Sequence, residues 1–512
     1  MAGMLGMALA GSVSIAAAQT QISGATPFPA PPAGPCDNEL IDKDAVLFLN
    51  SEVEPWLDVN PADPNNLIAV WQQDRFSNGG ARANAGAYST DGGDNWTTFT
   101  FRKLTKCTGG PWARATDPWV TFSPNGHAYA MSLVFDNFPP PNQRPAGEAP
   151  NAMVVQKSIN KGADWSKPVT LIRDTSPRLF NDKNSMTADP NDSNYVYAVW
   201  DRLNSSLGVY INPENVFGLG YRGPALFTRT TNGGTSWEPA KSIYDPGGNN
   251  QTIGNQIVVL PQSKGGTVIN FFNEILNFKN SDGGSQFDSN LAFVYSNNKG
   301  ASWLPKGQPR RAQKIEAIGV VLPDAPSVPV RAGDILFDVA VDPINGKLYA
   351  VWQDARFSGF EIDQIAFSQS TDGGATWSAP IKVNLTPTNI RILRQQAFTP
   401  SVSVKSDGAV VINYYDFRND TGTAGEELAD YWAASCTPSP TVNCAAAASW
   451  AGSGLRLTST SFNIRNAPFA RGYFTGDYQG LAAVGPSTAA QSAAAFSIPQ
   501  GADPGNIVFR KF

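Results

Sequence analysis

The sequence predicts an all-β chain assembled from repeated four-stranded units. Three observations carry that expectation: a motif that recurs five times, a strand pattern around each copy, and a composition rich in turn formers. The chain has 512 residues, of which 47 are Gly and 39 Pro, which favours many tight turns over long helices. Charged residues make up 16%, well below the usual share of about a quarter. With a net charge of −5 and 28 Phe, 14 Tyr and 13 Trp to bury, the chain is not a disordered one.

The motif is S/T-x-D/N-x-G-x-x-W. Its copies run from Ser89 to Trp96, Ser158 to Trp165, Thr230 to Trp237, Ser296 to Trp303 and Ser370 to Trp377. They recur about every 70 residues, the spacing of a repeat architecture. Asp91, Asn160, Asn232, Asn298 and Asp372 suit a tight turn because a short polar side chain bonds the backbone that follows it. The glycine at the fifth position permits positive φ, and each Trp packs back on a sheet.

Around each motif lies a larger unit. A short strand comes first, beginning near Pro55, Pro118, Ser185, Gln256, Phe337, Ser401 and Gln479. A turn follows, then an aromatic-rich strand such as Leu67 to Trp71 or Leu348 to Trp352. A third strand runs into the motif and a fourth completes the unit. Four strands at a fixed period predict a β-propeller. Seven blades are favoured, and six is the alternative if one weak unit is an insertion. The last unit looks one strand short, and Ala45 to Asn50 (AVLFLN) is the candidate to close the ring. Residues 45–512 then form a single propeller domain.

Residues 1–18 are apolar, small and uncharged and end in Ala16-Ala17-Ala18, which fits a cleavable export signal. Residues 19–44 read as a Pro-rich linker. No later run reaches the roughly 18 apolar residues that a membrane span needs. Export implies an oxidising compartment, and four cysteines permit two disulfides. Short separation favours Cys436–Cys444, leaving Cys36–Cys107. Six N-x-S/T sequons, at Asn95, Asn191, Asn204, Asn250, Asn384 and Asn419, matter only in a host that glycosylates.

The five motifs resemble the Asp-box (BNR) repeats of the sialidase-like superfamily, over residues 51 to about 512. The resemblance implies a propeller and a carbohydrate as substrate or ligand. The chain departs from a sialidase in three ways. Its first inner strand opens Glu54-Pro55-Trp56 with no arginine. No tyrosine nucleophile sits in a matching motif, although Tyr473 and Tyr478 lie in a top-face link. No glutamate partner does either, with Glu274 and Glu361 as candidates.

Propeller topology sorts the residues by face. The Asp-boxes lie on the bottom and read as structural. So does the single histidine, His127 (SPNGHAYAM), which leaves no His-rich metal site and disfavours a histidine base. On the top face, carboxylates precede the first strands: Glu54, Asp117, Asp182, Asp334 and Asp477. Arginines stand nearby at Arg114, Arg331, Arg394 and Arg471. A second top-face pattern follows the second strands: Asp74-Arg75, Asp201-Arg202, Asp354 with Arg356, and Asp416 with Arg418. It resembles a D-x-R element of sialidases, with Asp363 in a comparable following position. Its recurrence in four units also fits a structural ion pair.

Paired carboxylates can divide acid and base roles, and arginine grips carboxylate or sulfate bidentately. The expected catalytic residues are Asp117, Asp334, Asp477, Glu54 and Tyr478. The expected substrate-binding residues are Arg114, Arg331, Arg394, Arg471, Arg75 and Arg356. Asp117 and Asp334 belong to units two and five and are expected to face each other across the axis. A structural calcium at Asp189 to Asn194 (DPNDSN) is the sole cofactor reading, and a plain turn competes with it. The pI near 5.2 argues against nucleic acid. Two functions stay open: a secreted, monomeric, sialidase-like glycoside hydrolase, which is favoured, and a non-catalytic propeller that binds glycan or protein.

Overall fold

The computed structural model describes residues 19–31, 36, 45–136, 150–205, 221–277 and 287–512. The expected export signal at 1–18 and most of the linker beyond residue 31 lie outside the described residues. What is described is all-β, in several antiparallel sheets.

The strands repeat in one order. Each unit opens with an inner strand: Glu52–Val59, Arg114–Phe122, Leu179–Ala188, Asn250–Val259, Phe337–Val341, Ala397–Val404 and Gly480–Val484. Each pairs antiparallel with the strand that follows it. A third and a fourth strand extend the unit outward, as in Leu348–Asp354, Gln364–Ser370 and Ile381–Lys382 of the fifth unit. The second strands are buried over most of their length because neighbouring units cover both of their faces, and so they read as apolar runs. Trp71, Trp200 and Trp352 are fully buried. Each packs on the preceding unit: Trp352 shares a cluster with Phe271 and Phe293, Trp200 with Tyr129 and Met131, and Trp71 with Phe509 of the last unit.

The five Asp-boxes are alike in detail. The Ser or Thr hydroxyl accepts the amide of the fifth-position glycine at 2.8–3.0 Å in every copy. The Asx side chain accepts the amide four residues on. The glycine is required twice over. Its φ is positive in all five, +83° at Gly300. A Cβ on Gly300 would also stand 2.4 Å from the Phe227 ring of the unit before, and one on Gly93 2.4 Å from Phe509 of the last unit. The boxes therefore seat each turn on its neighbour.

The outer edge of the last unit corrects one expectation. Thr20–Gln21 pairs antiparallel with Val508 and Phe509, so the segment expected to be linker begins as a strand. Ala45 to Asn50 does not take that place. It makes a single bridge, Leu47 to Phe76, because Phe48 and Val46 are held by Arg75 and Ser77 of the first unit. Both expected disulfides are present, Cys36–Cys107 and Cys436–Cys444. Among the described residues no helix is long and apolar enough to cross a membrane.

One cavity of about 470 Å³ is lined by residues from all seven inner strands, from Asp58 and Thr121 through Thr187, Ile257 and Val339 to Val402 and Leu481. The inner strands thus surround a common axis.

Candidate active site

Where the inner strands begin, the backbone is bent in a repeated way. In five units the ladder slips by a bulge, and one residue adopts the left-handed conformation: Glu54 (φ 54°), Asp117 (46°), Lys183 (46°), Gly254 (68°) and Thr399 (49°). Bulges re-aim side chains. Each non-glycine residue here costs about 1 kcal/mol of backbone strain. In units five and seven, glycines take the turn just before an aspartate: Gly333 (φ 61°) before Asp334 and Gly476 (φ 134°) before Asp477. A Cβ on Gly333 would lie 2.5 Å from the Asp477 carbonyl oxygen, and one on Gly476 2.7 Å from the Glu54 amide. Close backbone approach brings these carboxyls together.

They converge on a cavity of about 490 Å³ lined by five carboxyls (Glu54, Asp117, Asp182, Asp334 and Asp477) and four cations (Arg75, Lys183, Arg331 and Arg471), with apolar walls that include Phe135 and Phe180. Lys183 stands at the centre of the floor. Its Nζ is 2.5 Å from Asp477, 3.3 Å from Glu54 and 3.6 Å from Asp117. Arg331 forks onto Asp477, Nε to Oδ1 at 3.0 Å and Nη2 to Oδ2 at 2.5 Å. A parallel pairing of Arg331 with Phe474, where a hairpin after the fourth unit meets the link to the seventh, sets this geometry. Gln72 donates to Glu54 Oε2, and the Asp477 amide donates to Glu54 Oε1 at 3.3 Å.

The electrostatics separate these carboxyls. Burial pushes Glu54 up to about 8, against the pull of Lys183. Burial also raises Asp117 and Asp182. Asp334 is raised by burial and then by the charge of Asp477. Burial would raise Asp477 too, but Arg331 and Lys183 outweigh it and hold that carboxylate well below its usual range. The three carboxylates outweigh the burial of Lys183 and keep it charged. Opposite shifts on neighbouring carboxyls are how an acid and a base are told apart.

The remaining expected residues fall elsewhere. Tyr478 lies beneath the floor, its ring against the stacked Trp56 and Trp119 and its hydroxyl donating to the Pro118 carbonyl at 3.2 Å. Burial raises its pKa well above the usual value, which opposes a phenolate nucleophile. Arg114 does not line the cavity; it binds Asn78 and the Gly79 carbonyl. Arg394 pairs with Asp420 and Asp324, and Arg356 with Asp354 and Glu316, outside the cavity. Arg75 lines the wall and donates to the Gly80 carbonyl. Arg471 lines the cavity as well. Of the repeated Asp–Arg elements, two are ion pairs as written, Asp354–Arg356 and Asp416–Arg418. The other two exchange partners, Asp74 with Arg82 and Arg202 with Asp174. Asp363 accepts the Ile318 and Gly319 amides instead of facing the cavity. Asp189 is engaged by the Asn191 amide and the Tyr197 hydroxyl, the bonding of a plain turn. Among the described residues no cluster of three or more His, Cys, Asp or Glu is arranged to hold a metal.

Lys183 is the residue that sequence reasoning missed. The signal was positional: K-N-S occupies the place of E-P-W at Glu54 and D-P-W at Asp117.

No protein family model matches the chain, and neither does any curated protein. The structures it is similar to include sialidases and GH93 arabinofuranosidases. One is the Hadza microbial sialidase Hz136, at 14% identity, TM-score 0.42, with 71% of this chain and 63% of that chain covered. The chain thus spans less than two thirds of that sialidase. Another is a protein of unknown function from Dyadobacter fermentans, at 12% identity, TM-score 0.45, with 91% and 97% covered. A third is the α-L-arabinofuranosidase Arb93A from Fusarium graminearum, at 9% identity, TM-score 0.44, with 97% and 98% covered. No residue role in this chain follows from them.

Proposed function

We propose that the chain is a secreted, seven-bladed β-propeller that hydrolyses glycosides in the cavity at the top of its axis. The observation that carries this reading is the meeting of Asp334 and Asp477 in one cavity of about 490 Å³ with opposite shifts in proton affinity. Asp334 opens to the cavity and makes no ion pair among the described residues. It holds a proton and gives it to the glycosidic oxygen as the bond breaks. Asp477, kept ionised by Arg331 and Lys183, faces the positive charge that develops on the sugar ring. Glycosidases work with such a pair of carboxyls. The sugar unit at the point of cleavage must be compact enough to sit between the apolar walls and rich enough in hydroxyls to bond the rim. Seven blades are supported by one axial cavity that touches seven inner strands, and ring closure by the pairing of Thr20–Gln21 with the last unit. Two disulfides suit an oxidising compartment.

A second reading rests on one observation: Lys183 bridges three carboxylates and Arg331 is committed to Asp477, so the floor is internally neutralised. That suits a propeller that binds a glycan without cleaving it. The experiment is a screen of the purified protein against chromogenic glycosides and polysaccharides, sialosides included, with a pH–rate profile on any hit. The hydrolase reading expects turnover that fails on the alkaline side as Asp334 loses its proton. Glycan binding with no turnover on any substrate supports the binder.

A further inference from the structure

Three cavities stack along the axis. The upper one, of about 490 Å³, and a neck of about 40 Å³ share Lys183, Gly333, Leu336 and Asp477. The neck and the lower cavity, of about 470 Å³, share Trp56, Trp119, Gln256 and Asp338. The lower cavity reaches the opposite face, where Pro61 and Pro343 begin the turns after their inner strands. The neck is too narrow for a sugar ring. A buried water needs roughly 10–15 Å³ of such space and two to four polar partners, so the neck has room for about three or four.

Its walls combine apolar surface, from Trp56, Trp119, Leu336 and Phe337, with a set of polar groups. Most groups there are engaged: Ser185 Oγ donates to the Asn255 carbonyl at 2.7 Å, Ser401 Oγ to the Gln479 carbonyl at 2.8 Å, and Gln256 Nε2 to Asp338 at 2.9 Å. Asn184 is the exception. Its Nδ2 donates to the Asp117 carbonyl at 2.9 Å. Its Oδ1 is buried in a residue only 3% exposed and has no hydrogen-bond partner among the described residues. A buried amide oxygen calls for a donor, and the serine oxygens keep lone pairs that can continue a chain from it.

We propose that the axis is a water conduit: a short file of waters in the neck, anchored on Asn184 Oδ1, joins the lower face to the floor of the upper cavity beside Asp477 and Lys183. The role given to this file rests on the hydrolase reading. Each cleavage consumes one water: its oxygen bonds to the anomeric carbon, one of its protons passes to a cavity carboxylate, and the leaving oxygen takes the proton of Asp334. A long glycan seated in the upper cavity blocks supply from above, and the neck replaces the water from below.

The test combines a high-resolution crystal structure with the variant Gln256→Met, which keeps the side-chain volume and makes the lower mouth of the neck apolar. The expected map has ordered waters in the neck, one within hydrogen-bond distance of Asn184 Oδ1. The variant gives up the bond to Asp338 and should melt a few degrees lower; the folded protein is expected to turn over a polysaccharide at least fivefold more slowly at a KM within twofold, and a small aryl glycoside at the normal rate. A dry neck, or a folded variant that cleaves the polysaccharide at full rate, overturns the proposal. If no glycoside is cleaved, the hydrolase reading fails, and the density in the neck alone decides whether the file exists. Asn184→Leu provides a second check: its neck should lose the water that the wild type holds there.

Discussion

The Asp-box turns and the mouths of the inner strands both repeat around the molecule, but they repeat different things. The boxes repeat residues. Ser89, Ser158, Thr230, Ser296 and Ser370 make the same bond to the same glycine, and each turn closes on its own atoms. The mouths repeat backbone. The left-handed bulge recurs while its residue changes from Glu54 to Asp117, Lys183, Gly254 and Thr399. A residue kept constant meets one structural need in every unit. A strained geometry kept constant, with the residue varied, presents several chemistries to one point. Strain of this kind gathers at functional sites.

Breaking the centre of the mouths gives the largest expected effect on stability. Lys183→Met leaves Glu54, Asp117 and Asp477 without their shared cation. Removing one partner of a buried ion pair costs about 3–5 kcal/mol, so the variant should melt well below the wild type near neutral pH. Much of the loss should be recovered at acid pH, where the carboxyls take up protons. Calorimetry at pH 5 and pH 8 checks this, and equal losses at both would contradict the bridging role.

Breaking a box should cost stability alone. Gly300→Ala forces a side chain into φ +83° and against Phe227. Strain and overpacking together are worth about 2–4 kcal/mol. Glycan binding by the protein that remains folded should not change. A Gly300→Ala protein that melts normally but no longer binds would erase the contrast between the two regions.

The pH dependence sharpens the contrast, because the mouths titrate. Burial raises Glu54 and Glu52 from 4.5 to about 8. Between those values the folded state holds protons that the unfolded chain has released, so stability falls as pH rises through the window. Asp477, depressed by Arg331 and Lys183, acts in the opposite sense below pH 3.8, outside that range. The melting temperature should therefore drop by several degrees from pH 5 to pH 8.5, and Glu52→Gln should flatten part of the slope. A melting temperature that rises across the window would contradict the burial of these groups.

The smallest effect belongs to a repeated ion pair away from the cavity. Arg356→Ala removes a partly exposed partner of Asp354. Asp354 is buried but keeps the Trp352 indole N–H and the amide of residue 356 as donors, so about 1–2 kcal/mol is expected, with turnover unchanged. Lost turnover at normal stability would return Arg356 to the site.

This division also explains what could be read from the chain. The boxes were legible because their residues recur, and the two disulfides because the cysteines were few. Glu54, Asp117, Asp334 and Asp477 were legible as carboxyls at corresponding places. Lys183 was not, because a search for recurring acids passes over the one position where the mouth carries a cation. Arg114, Arg356 and Arg394 were placed by proximity in sequence, but backbone carbonyls and local acids hold them first. The edge strand at Thr20–Gln21 has only two paired residues, too few to give an alternating pattern.

If the mouths carry the chemistry, Asp334→Asn removes it without unfolding the protein. Its melting temperature and its turnover of the best substrate from the glycoside screen should be measured side by side with the wild type. Turnover should fall by several orders of magnitude, as for removal of a general acid with its partners, while the melting temperature stays within about a degree or two of the wild type. Full turnover in the folded variant would contradict that placement.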